Sequence, residues 1–416
     1  MRFDRSNTHT RMVTNLHSRE PQNRADFGKS KVMLIHNTLP PYKMPLFEDL
    51  FNHPRIKLSL YICFENLGRW DQVPKKYKYD FKILRGIILR IPSKVLTFAL
   101  NPGIILEIIR NNPDVIVICE MGNPTMQLAF FLGKFLRIPV ILATEATRFL
   151  HQKSIMAQIY APLRKLIFRN VNAIVVAGSL SKEYAVKEGA DSARVFVAPV
   201  SIDNDFFVSL CAKYRKNKTT LKKELGISTE KMILYVGRIV EEKGVLVLLE
   251  AYRKLREDCK NCSLVYVGSG QIRTQLLAKC RTNRIPDVFF VESGLGFAGI
   301  VKYYSIADIF VLPTLSAESW GMVVNEAMAC SLPVIATKAG GAAADMVLDG
   351  INGFAVQKGS VDELHLALQK LMFDERFMRS ASRASLRLIQ KRFNRMSQLN
   401  GFLAAIDFAT SSTLRR

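Results

Sequence analysis

The sequence predicts an α/β protein made of two successive doubly wound domains, each a parallel sheet with helices on both faces. The chain has 416 residues, whereas single hydrophobic cores stop growing at roughly 250–300 residues. Short β-branched and apolar runs alternate with helical patterns, which is typical of parallel sheets. The basic stretch CAKYRKNKTTLKKELG, residues 211–226, interrupts this alternation. We expect a surface segment or linker there, close to the domain boundary.

In the first half, apolar runs that end at proline, glycine or polar residues predict buried strands. The first run, KVMLIHNTL at 31–39, ends at Pro40 and Pro41. Residues 124–137 have a helical pattern, and a further helix ends at Gly189. The predicted strands lie at 31–39, 57–64, 113–120, 139–145, 172–179 and 193–203.

The second half repeats the alternation. Ser360 and Glu363 have the spacing of a helix cap, which predicts a helix over 360–374. The final segment, about 376–409, is predicted to be helical and basic. Strands are predicted at 232–238, 262–270, 287–293, 308–314, 333–340 and 353–359, and helices at 245–257, 271–283, 298–307 and 321–330.

These elements divide the chain into four parts. Residues 1–29 are predicted to be a disordered basic arm, because they are polar and lack the apolar core of a secretory signal. Residues 30–210 and 211–380 are the two α/β domains, and 381–416 are a basic helical segment. Ligands of open parallel sheets bind beyond the carboxyl ends of the strands, so the cleft between the domains is the predicted site.

The formal net charge of +23 indicates an anionic partner, such as nucleic acid, an acidic lipid surface or a phosphorylated ligand. The Lys and Arg residues concentrate in residues 1–110 and in the last segment. The seven cysteines include one C-x-x-C pair, Cys259 and Cys262, without a second pair or a histidine cluster for a metal site. We therefore expect reduced thiols and a cytoplasmic location. No uncharged apolar run is long enough to predict a transmembrane helix.

The stretch ESWGMVVNEAM, residues 318–328, carries two glutamates in an otherwise apolar setting. Glu318 is predicted in the loop after a strand, the helix begins near Gly321, and Glu326 follows about two turns later. A rise of about 1.5 Å per residue separates the two carboxylates by roughly 12 Å, close to the span from the sugar of a nucleotide sugar to its ribose. Helix-start N–H groups attract phosphate. Chance pairs of glutamates are common on helices, but the position after a strand favours a ligand site.

A second candidate motif is YVGRIVEEKG, residues 235–244. A strand ends at Gly237, and Arg238 and Lys243 follow. Two cations at a strand end can neutralise a diphosphate leaving group, although a solvated basic turn is the simpler explanation. Gly268 and Gly270 lie between a strand and a helix, where most such glycine pairs form tight turns.

These motifs make the chain similar to the donor-binding half of the retaining glycosyltransferases of the large sucrose-synthase-type group, family four (glycosyl transferases group 1), with the GT-B fold. The resemblance is strongest over 231–356, in VGR with EEKG, VGSGQ, YYSIADIFVLPT, ESWGMVVNEAMACSLPVIAT and LDGINGF, and extends over about 31–380. It implies two Rossmann-like domains facing a central cleft, the first binding the acceptor and the second the donor. A C-terminal helix is expected to return to the first domain.

The resemblance also implies residue roles. Glu318 would contact the donor sugar, Glu326 the ribose, and Arg238 with Lys243 the diphosphate. The remaining implied donor-binding residues are Gly237, Gly268, Gly321, Met322, Val323 and Val324. Neither a metal nor another cofactor is implied beside the nucleotide sugar. The D-x-D at 203–205 lies away from the donor motifs and is interpreted as a hinge or cap.

The first domain departs from the common pattern. LPPYKMPLFEDL, residues 39–50, stands where many members have a Gly-Gly loop, and it resembles a sub-group with a P-P-Y-x-x-P-L-F loop. Glu145 occupies the place of a frequent histidine. Pro41, Tyr42 and Glu145 are candidate contacts to acceptor or donor, and Glu145 either binds a hydroxyl or closes a loop.

The resemblance implies that the enzyme moves a hexose from a UDP- or GDP-sugar to a saccharide or lipid-linked saccharide, with retention by front-face displacement, in polysaccharide or glycolipid assembly. The stretch 81–100 combines apolar residues with Arg85, Arg90 and Lys94. It either rests on an anionic membrane or is a partly buried helix whose cations reach solvent. Together with the net charge, it favours peripheral attachment to the cytoplasmic face of a membrane.

Three alternatives remain at this point. A nucleotide-sugar epimerase shares the fold but not the two glutamates combined with VGR and KG. A phosphorylase needs a lysine for pyridoxal phosphate, and no residue marks one. A basic nucleic-acid-binding protein explains the charge but not Glu318 and Glu326, and no nucleic-acid motif occurs, so we expect no nucleic-acid partner.

Overall fold

The computed structural model describes residues 28–64, 80–91, 96–147, 158–316, 318–338 and 340–411. The predicted arm lies outside these ranges apart from Gly28 and Lys29. The described residues form a seven-stranded and a six-stranded sheet, both parallel, and a separate two-stranded antiparallel pair. The two-domain α/β architecture is therefore confirmed.

The first sheet has the strand order β3-β2-β1-β6-β7-β8-β9. Side chains alternate across it, so Val32 and Leu34 enter one hydrophobic cluster and Met33 and Ile35 enter the other. The strands of this half are β1 (Ser30–His36), β2 (Ile56–Ile62), β3 (Phe81–Ile83), β4 (Ile87–Ile91), β5 (Leu96–Leu100), β6 (Val115–Cys119), β7 (Val140–Thr144), β8 (Ala173–Val176) and β9 (Val195–Val197). The helices are α1 (Met44–Asn52), α2 (Ile104–Asn111), α3 (Pro124–Phe135), α4 (Ala161–Asn170) and α5 (Ser179–Lys187).

The stretch 81–100 does not form the partly buried helix that is one of its two predicted alternatives. Its described residues form the edge strand β3 and the antiparallel pair β4–β5, in which Ile87 lies opposite Leu100. Isoleucine and leucine runs suit either element, so composition alone does not separate a short hairpin from a helix.

The second sheet has the order β12-β11-β10-β13-β14-β15. Its strands are β10 (Lys231–Val236), β11 (Cys262–Val267), β12 (Val288–Val291), β13 (Ile309–Leu312), β14 (Val334–Thr337) and β15 (Gly353–Val356). The helices of this half of the chain are α6 (Asn204–Arg215), α7 (Lys218–Glu224), α8 (Val245–Asp258), α9 (Arg273–Thr282), α10 (Gly296–Ile306), α11 (Met322–Ala329), α12 (Gly341–Met346), α13 (Val361–Phe373), α14 (Glu375–Lys391) and α15 (Arg395–Ser411).

The basic stretch at 211–226 is not a linker. It belongs to helices α6 and α7, whose residues Phe207, Cys211 and Leu221 enter the core of the second domain. Asp203 caps α6 by accepting a hydrogen bond from the Phe206 N–H at 3.0 Å, as expected for a cap in the D-x-D stretch. The structural boundary between the domains therefore lies just before α6.

The C-terminal segment returns to the first domain. It comprises two helices rather than one, and Leu399 and Phe402 of α15 enter the first-domain cluster that contains Val32 and Leu34. At the start of α15, Arg395 forms an ion pair with Glu48 at 3.0 Å and another with Asp49, both on α1. The expected return of a C-terminal helix to the first domain is confirmed.

Two polar contacts fasten the domains to each other. Asn325 of α11 donates to the Val200 carbonyl at 3.1 Å and accepts from the Trp320 indole at 2.8 Å, and all three residues are buried. Asp345 accepts a hydrogen bond from the Ser179 N–H of α5 at 2.9 Å. Within the described ranges, no helix is both long and apolar enough to cross a membrane.

Candidate functional site

The second-domain site forms where two neighbouring strands end. Because β10 and β13 pair in parallel, the residues after them meet at one sheet edge. Lys243 follows β10, Glu318 follows β13, and the Lys243 ammonium lies 2.7 Å from Glu318 Oε1. Glu318 Oε2 is buried without a hydrogen-bond partner among the described residues. A buried acceptor without a partner is rare in proteins and points to a ligand donor at this position.

Backbone hydrogen bonds position both members of this pair. The Glu242 carbonyl accepts from the N–H groups of Leu315 and Ser316 at 2.9 and 3.2 Å. The Glu318 carbonyl accepts from the Gly341 N–H at 3.0 Å. The loop after β13 is thus held on one side by the Lys243 turn and on the other by the start of α12.

Gly237 and Gly268 bring the turns after β10 and β11 into contact. Gly237 has φ +153° and Gly268 has φ +148°, a region that side-chain-bearing residues rarely adopt. A Cβ atom at Gly268 would lie 1.9 Å from the Gly237 carbonyl oxygen. Both positions therefore require glycine, and they shape the floor of the site beside Arg238.

Arg238 lies at the same edge, but among the described residues no hydrogen bond or ion pair joins its side chain to Lys243 or Glu318. Its guanidinium is 2.6 Å from Glu242 and its side chain is 62% exposed. The Tyr235 hydroxyl donates to the Arg238 carbonyl at 2.7 Å, which fixes the backbone and leaves the side chain in solvent. An exposed ion pair of this kind contributes little to stability, so the guanidinium is available to an anionic ligand.

Helix α11 begins at the predicted place. Gly321 is its N-cap with φ +93°, and the Val324 N–H already donates to the Gly321 carbonyl at 2.9 Å. Met322 and Val323 are partly buried and Val324 is fully buried. The first N–H groups of a helix have no acceptor within it, so Met322 and Val323 offer donors beside Glu318.

Glu326 lies inside α11 and is partly buried. Burial raises its pKa to about 7, although a 2.8 Å hydrogen bond from the Tyr304 hydroxyl works in the opposite direction. A carboxylate with this pKa binds hydroxyl groups most strongly above neutral pH, where it is charged. Tyr304 was not predicted as a site residue, and because the same helix also carries Lys302, Tyr303 and Ser305, no local signal singled it out.

The first domain has a cavity of about 120 Å³ at the carboxyl ends of β1, β6, β7 and β8. Its lining includes His36, Tyr42, Lys43, Glu120 and Glu145. Pro41 opens the short 3-10 helix that carries Tyr42 and Lys43. The chain thus places candidates Tyr42 and Glu145 together, while His36, Lys43 and Glu120 were not predicted.

Glu145 forms an ion pair within the first-domain cavity. Its carboxylate lies 2.5 Å from the Lys43 ammonium, and both side chains are largely buried. Glu120, with φ +68°, accepts from the Glu145 N–H and the Thr144 hydroxyl at 2.8 Å each. Burial raises the pKa of Glu120 and lowers that of His36 to about 3, so His36 is neutral at ordinary pH. Glu120 directly follows the buried strand β6, which was the available signal for this position.

The cavity adjoins the junction between the domains. Val200 lines it, and the Val200 carbonyl accepts the hydrogen bond from Asn325 of α11. The two candidate sites therefore belong to the two lobes of one cleft. Among the described residues, no group of three or more His, Cys, Asp or Glu side chains could hold a metal ion.

Comparisons with known proteins agree with this architecture. Residues 217–387 match the sequence model of the family described as glycosyl transferases group 1. The sulfoquinovosyl transferase SQD2 of Arabidopsis thaliana is 26% identical over 289 residues, 67% of this chain and 54% of SQD2. The lipopolysaccharide 1,2-N-acetylglucosaminetransferase of Salmonella typhimurium is 33% identical over 39% of this chain and 44% of its own. This chain matches about half the length of these curated relatives.

Solved structures show the same fold. Anabaena Alr3699/HepE in complex with UDP has a TM-score of 0.71 at 16% identity, covering 91% of this chain and 99% of that one. The sucrose-phosphate synthase of Thermosynechococcus elongatus has a TM-score of 0.65 at 17% identity, covering 92% and 100%. The predicted GT-B arrangement is confirmed by these structures, and the family match falls within the second half of the chain.

Proposed function

We propose that this protein is a retaining glycosyltransferase that moves a hexose from a UDP- or GDP-sugar to a saccharide or lipid-linked saccharide. One observation carries the proposal. The Lys243–Glu318 pair lies beside a helix start and leaves one buried carboxylate oxygen without a partner among the described residues. Such an oxygen is suited to a sugar hydroxyl, and the adjacent cation and N–H groups are suited to a diphosphate.

The donor lies across the edge of the second sheet in this proposal. Glu318 Oε2 accepts a hydrogen bond from a hydroxyl of the transferred sugar. Lys243, Arg238 and the N–H groups at the start of α11 face the diphosphate. Glu326, further along the helix, binds the ribose hydroxyls.

Transfer consists of one exchange at the anomeric carbon. The bond from that carbon to the diphosphate oxygen breaks as the bond to the acceptor oxygen forms, and the acceptor's proton passes to the departing phosphate. The retained configuration is what the family resemblance implies for such a front-face displacement. The residues of the chain orient the donor and stabilise the negative charge that develops on the diphosphate, with Lys243 and Arg238 as the cations.

The acceptor lies in the first-domain cavity. Lys43, Glu120 and Glu145 provide one cationic and two carboxylate groups at the carboxyl ends of the first sheet, next to the domain junction. These groups are suited to hydroxyl-rich ligands. Two matched relatives are named as a sulfoquinovosyl transferase and a lipopolysaccharide 1,2-N-acetylglucosaminetransferase, which supports a glycolipid or polysaccharide acceptor.

Thermal-shift screening against UDP- and GDP-sugars tests the donor proposal. A ligand that binds only the folded state raises the unfolding midpoint by mass action. We expect one nucleotide class to produce a shift that Glu326→Ala removes. The exposed Glu224→Ala is the matched control and should keep the shift. No shift with any nucleotide sugar, or an unchanged shift in Glu326→Ala, contradicts the proposal.

A further inference from the structure

The antiparallel pair β4–β5 presents an apolar face to the surface. Ile87 and Leu89 alternate onto one side of β4, and each is 63% exposed. Their partners across the pair are Leu100, which is exposed, and Phe98, which is partly exposed. An apolar face of this kind on a folded protein usually marks an interaction surface.

Hydrogen bonds at its base fix the orientation of this hairpin. The Ala99 N–H donates to the Asn123 side chain at 3.2 Å, and the Ala99 carbonyl accepts from the Thr125 hydroxyl at 2.8 Å. Asn101 is buried and donates to the Cys63 and Leu84 carbonyls at 3.1 and 2.9 Å. With Ala99 facing the core, the side that carries Ile87 and Leu89 faces outward.

The stretch of chain that carries this face is basic. Residues 81–110 contain five Lys or Arg and one acid, Glu107, which pairs with Lys82. Arg85 beside β4 is exposed, and so is Arg110 on α2. Helix α2, which follows β5, adds exposed Leu106 and Ile109.

We propose that the outer face of β4–β5, with Arg85 and the exposed residues of α2, docks onto the surface of an anionic lipid bilayer. Apolar side chains enter the boundary between headgroups and acyl chains, and cations beside them bind anionic headgroups. A second copy of this chain is a poor occupant, because each copy has a net charge of +23 and the two would repel each other.

The hairpin also lies close to the first-domain cavity. Asn123 accepts a hydrogen bond from the Ala99 N–H and donates one to the Asn37 side chain at 2.9 Å. Asn37 directly follows His36, which lines the cavity. Two asparagines therefore connect the base of the hairpin to the strand end that lines the cavity.

Sedimentation with lipid vesicles tests this surface. The full chain is mixed at low salt with vesicles of phosphatidylcholine, with or without phosphatidylglycerol. We expect binding to the anionic vesicles only, and its loss as salt is raised. The double variant Ile87→Ser with Leu89→Ser should bind at least roughly tenfold more weakly than the unmodified protein, because two apolar side chains no longer enter the lipid. Arg85→Glu should weaken binding roughly fivefold or more.

The matched control replaces two second-domain residues of similar exposure, Ile351→Ser with Leu366→Ser, which are 54% and 59% exposed. It should bind vesicles as the unmodified protein does. Absence of vesicle binding at low salt, equal binding to neutral vesicles, or equal loss in both double variants overturns the proposal. A dimer seen by light scattering that dissociates when Ile87 and Leu89 are changed also overturns it, and so does binding to RNA without binding to vesicles.

The thermal shift caused by a nucleotide sugar is measured on the same variants and should not change. Failure of the docking proposal can therefore be distinguished from failure of the proposed function.

Discussion

The Lys243 ammonium lies 2.7 Å from one oxygen of Glu318, while the other oxygen of that carboxylate is buried without a partner among the described residues. The two residues follow β10 and β13, which are neighbours in the sheet although well separated in the chain. Lys243 therefore orients Glu318 and leaves its second oxygen for a ligand. The proposed donor site depends on this relationship.

Glu318→Gln tests the role of that second oxygen. The change keeps the size of the side chain and removes the charge that strengthens a hydrogen bond to a sugar hydroxyl. We expect turnover of the donor sugar to fall about 10²–10³-fold and nucleotide affinity to change much less. Turnover is measured as release of the nucleoside diphosphate. Glu250→Gln on α8, where Glu250 pairs with Arg253 at 2.9 Å, is the control. Undiminished turnover would remove Glu318 from the reaction.

Lys243→Met and Arg238→Met should differ in their effect on stability. Lys243 is largely buried, so its loss leaves Glu318 without a counter-charge and lowers the free energy of unfolding by roughly 2–3 kcal/mol. Arg238 is mostly exposed, and its loss should change stability by less than about 0.5 kcal/mol. Both variants should bind a nucleoside diphosphate about tenfold more weakly in calorimetry. Equal stability of the two variants in urea denaturation would contradict the assigned burial.

The raised pKa of Glu326 should make the stability of the fold depend on pH. Its pKa rises from 4.5 in the unfolded chain to about 7 in the folded protein, so the folded state holds the proton more tightly. As the pH rises from about 4.5 to 7, the free energy of unfolding should therefore fall by on the order of 3 kcal/mol, and it should stay level above that. Glu326→Gln should lack this fall, and Glu224→Gln, an exposed control, should keep it.

The same group should affect binding of the donor. As pH rises through about 7, Glu326 becomes charged, and the affinity for a nucleotide sugar should increase if the carboxylate holds the ribose. Glu326→Gln should bind more weakly above neutral pH and show no such increase. Calorimetric titrations on either side of neutrality measure both effects. An identical pH profile in the two proteins would separate Glu326 from the ribose.

Gly268→Ala tests the packing of the two glycine turns. The added Cβ would lie 1.9 Å from the Gly237 carbonyl oxygen at a φ of +148°. We expect a loss of about 2 kcal/mol or more in unfolding free energy and weaker nucleotide binding, because the turns must separate. Gly122→Ala is the control, since a Cβ there meets no atom within 4 Å. Equal thermal midpoints for the two variants would contradict the contact.

Lys43 and Glu145 should be coupled. Lys43→Met leaves the largely buried Glu145 carboxylate without its counter-charge, and Glu145→Gln does the same to the Lys43 ammonium. Each change should lower the free energy of unfolding by roughly 2–4 kcal/mol. The double variant should lose less than the sum of the two single variants, as a double-mutant cycle measures. Additive losses would mean that the 2.5 Å contact does not contribute to the stability of the fold.

Much of the fold could be predicted because parallel strands buried on both faces are short apolar runs. Val115–Cys119 and Leu264–Val267, for example, lie within predicted strands and are fully buried. The errors occurred where burial is one-sided. The stretch 211–226, which runs through α6 and α7, contains five lysines, and only a few residues of these two helices reach the core. The sequence of β4 and β5 was compatible with a helix because both of its faces carry apolar residues, so the two-residue alternation of a half-buried strand is missing.

The sequence by itself determined the two α/β domains, the helix start at Gly321 and the positions of Glu318, Glu326, Arg238 and Lys243 relative to strand ends. These features depend on neighbouring residues, whose periodicity and turn chemistry are local. Only the tertiary structure decided that Lys243 pairs with Glu318 while Arg238 pairs with Glu242, and that Lys43 joins Glu145. Such pairings depend on which strands are neighbours in a sheet and on how far each side chain is removed from water, and neither is written in local sequence.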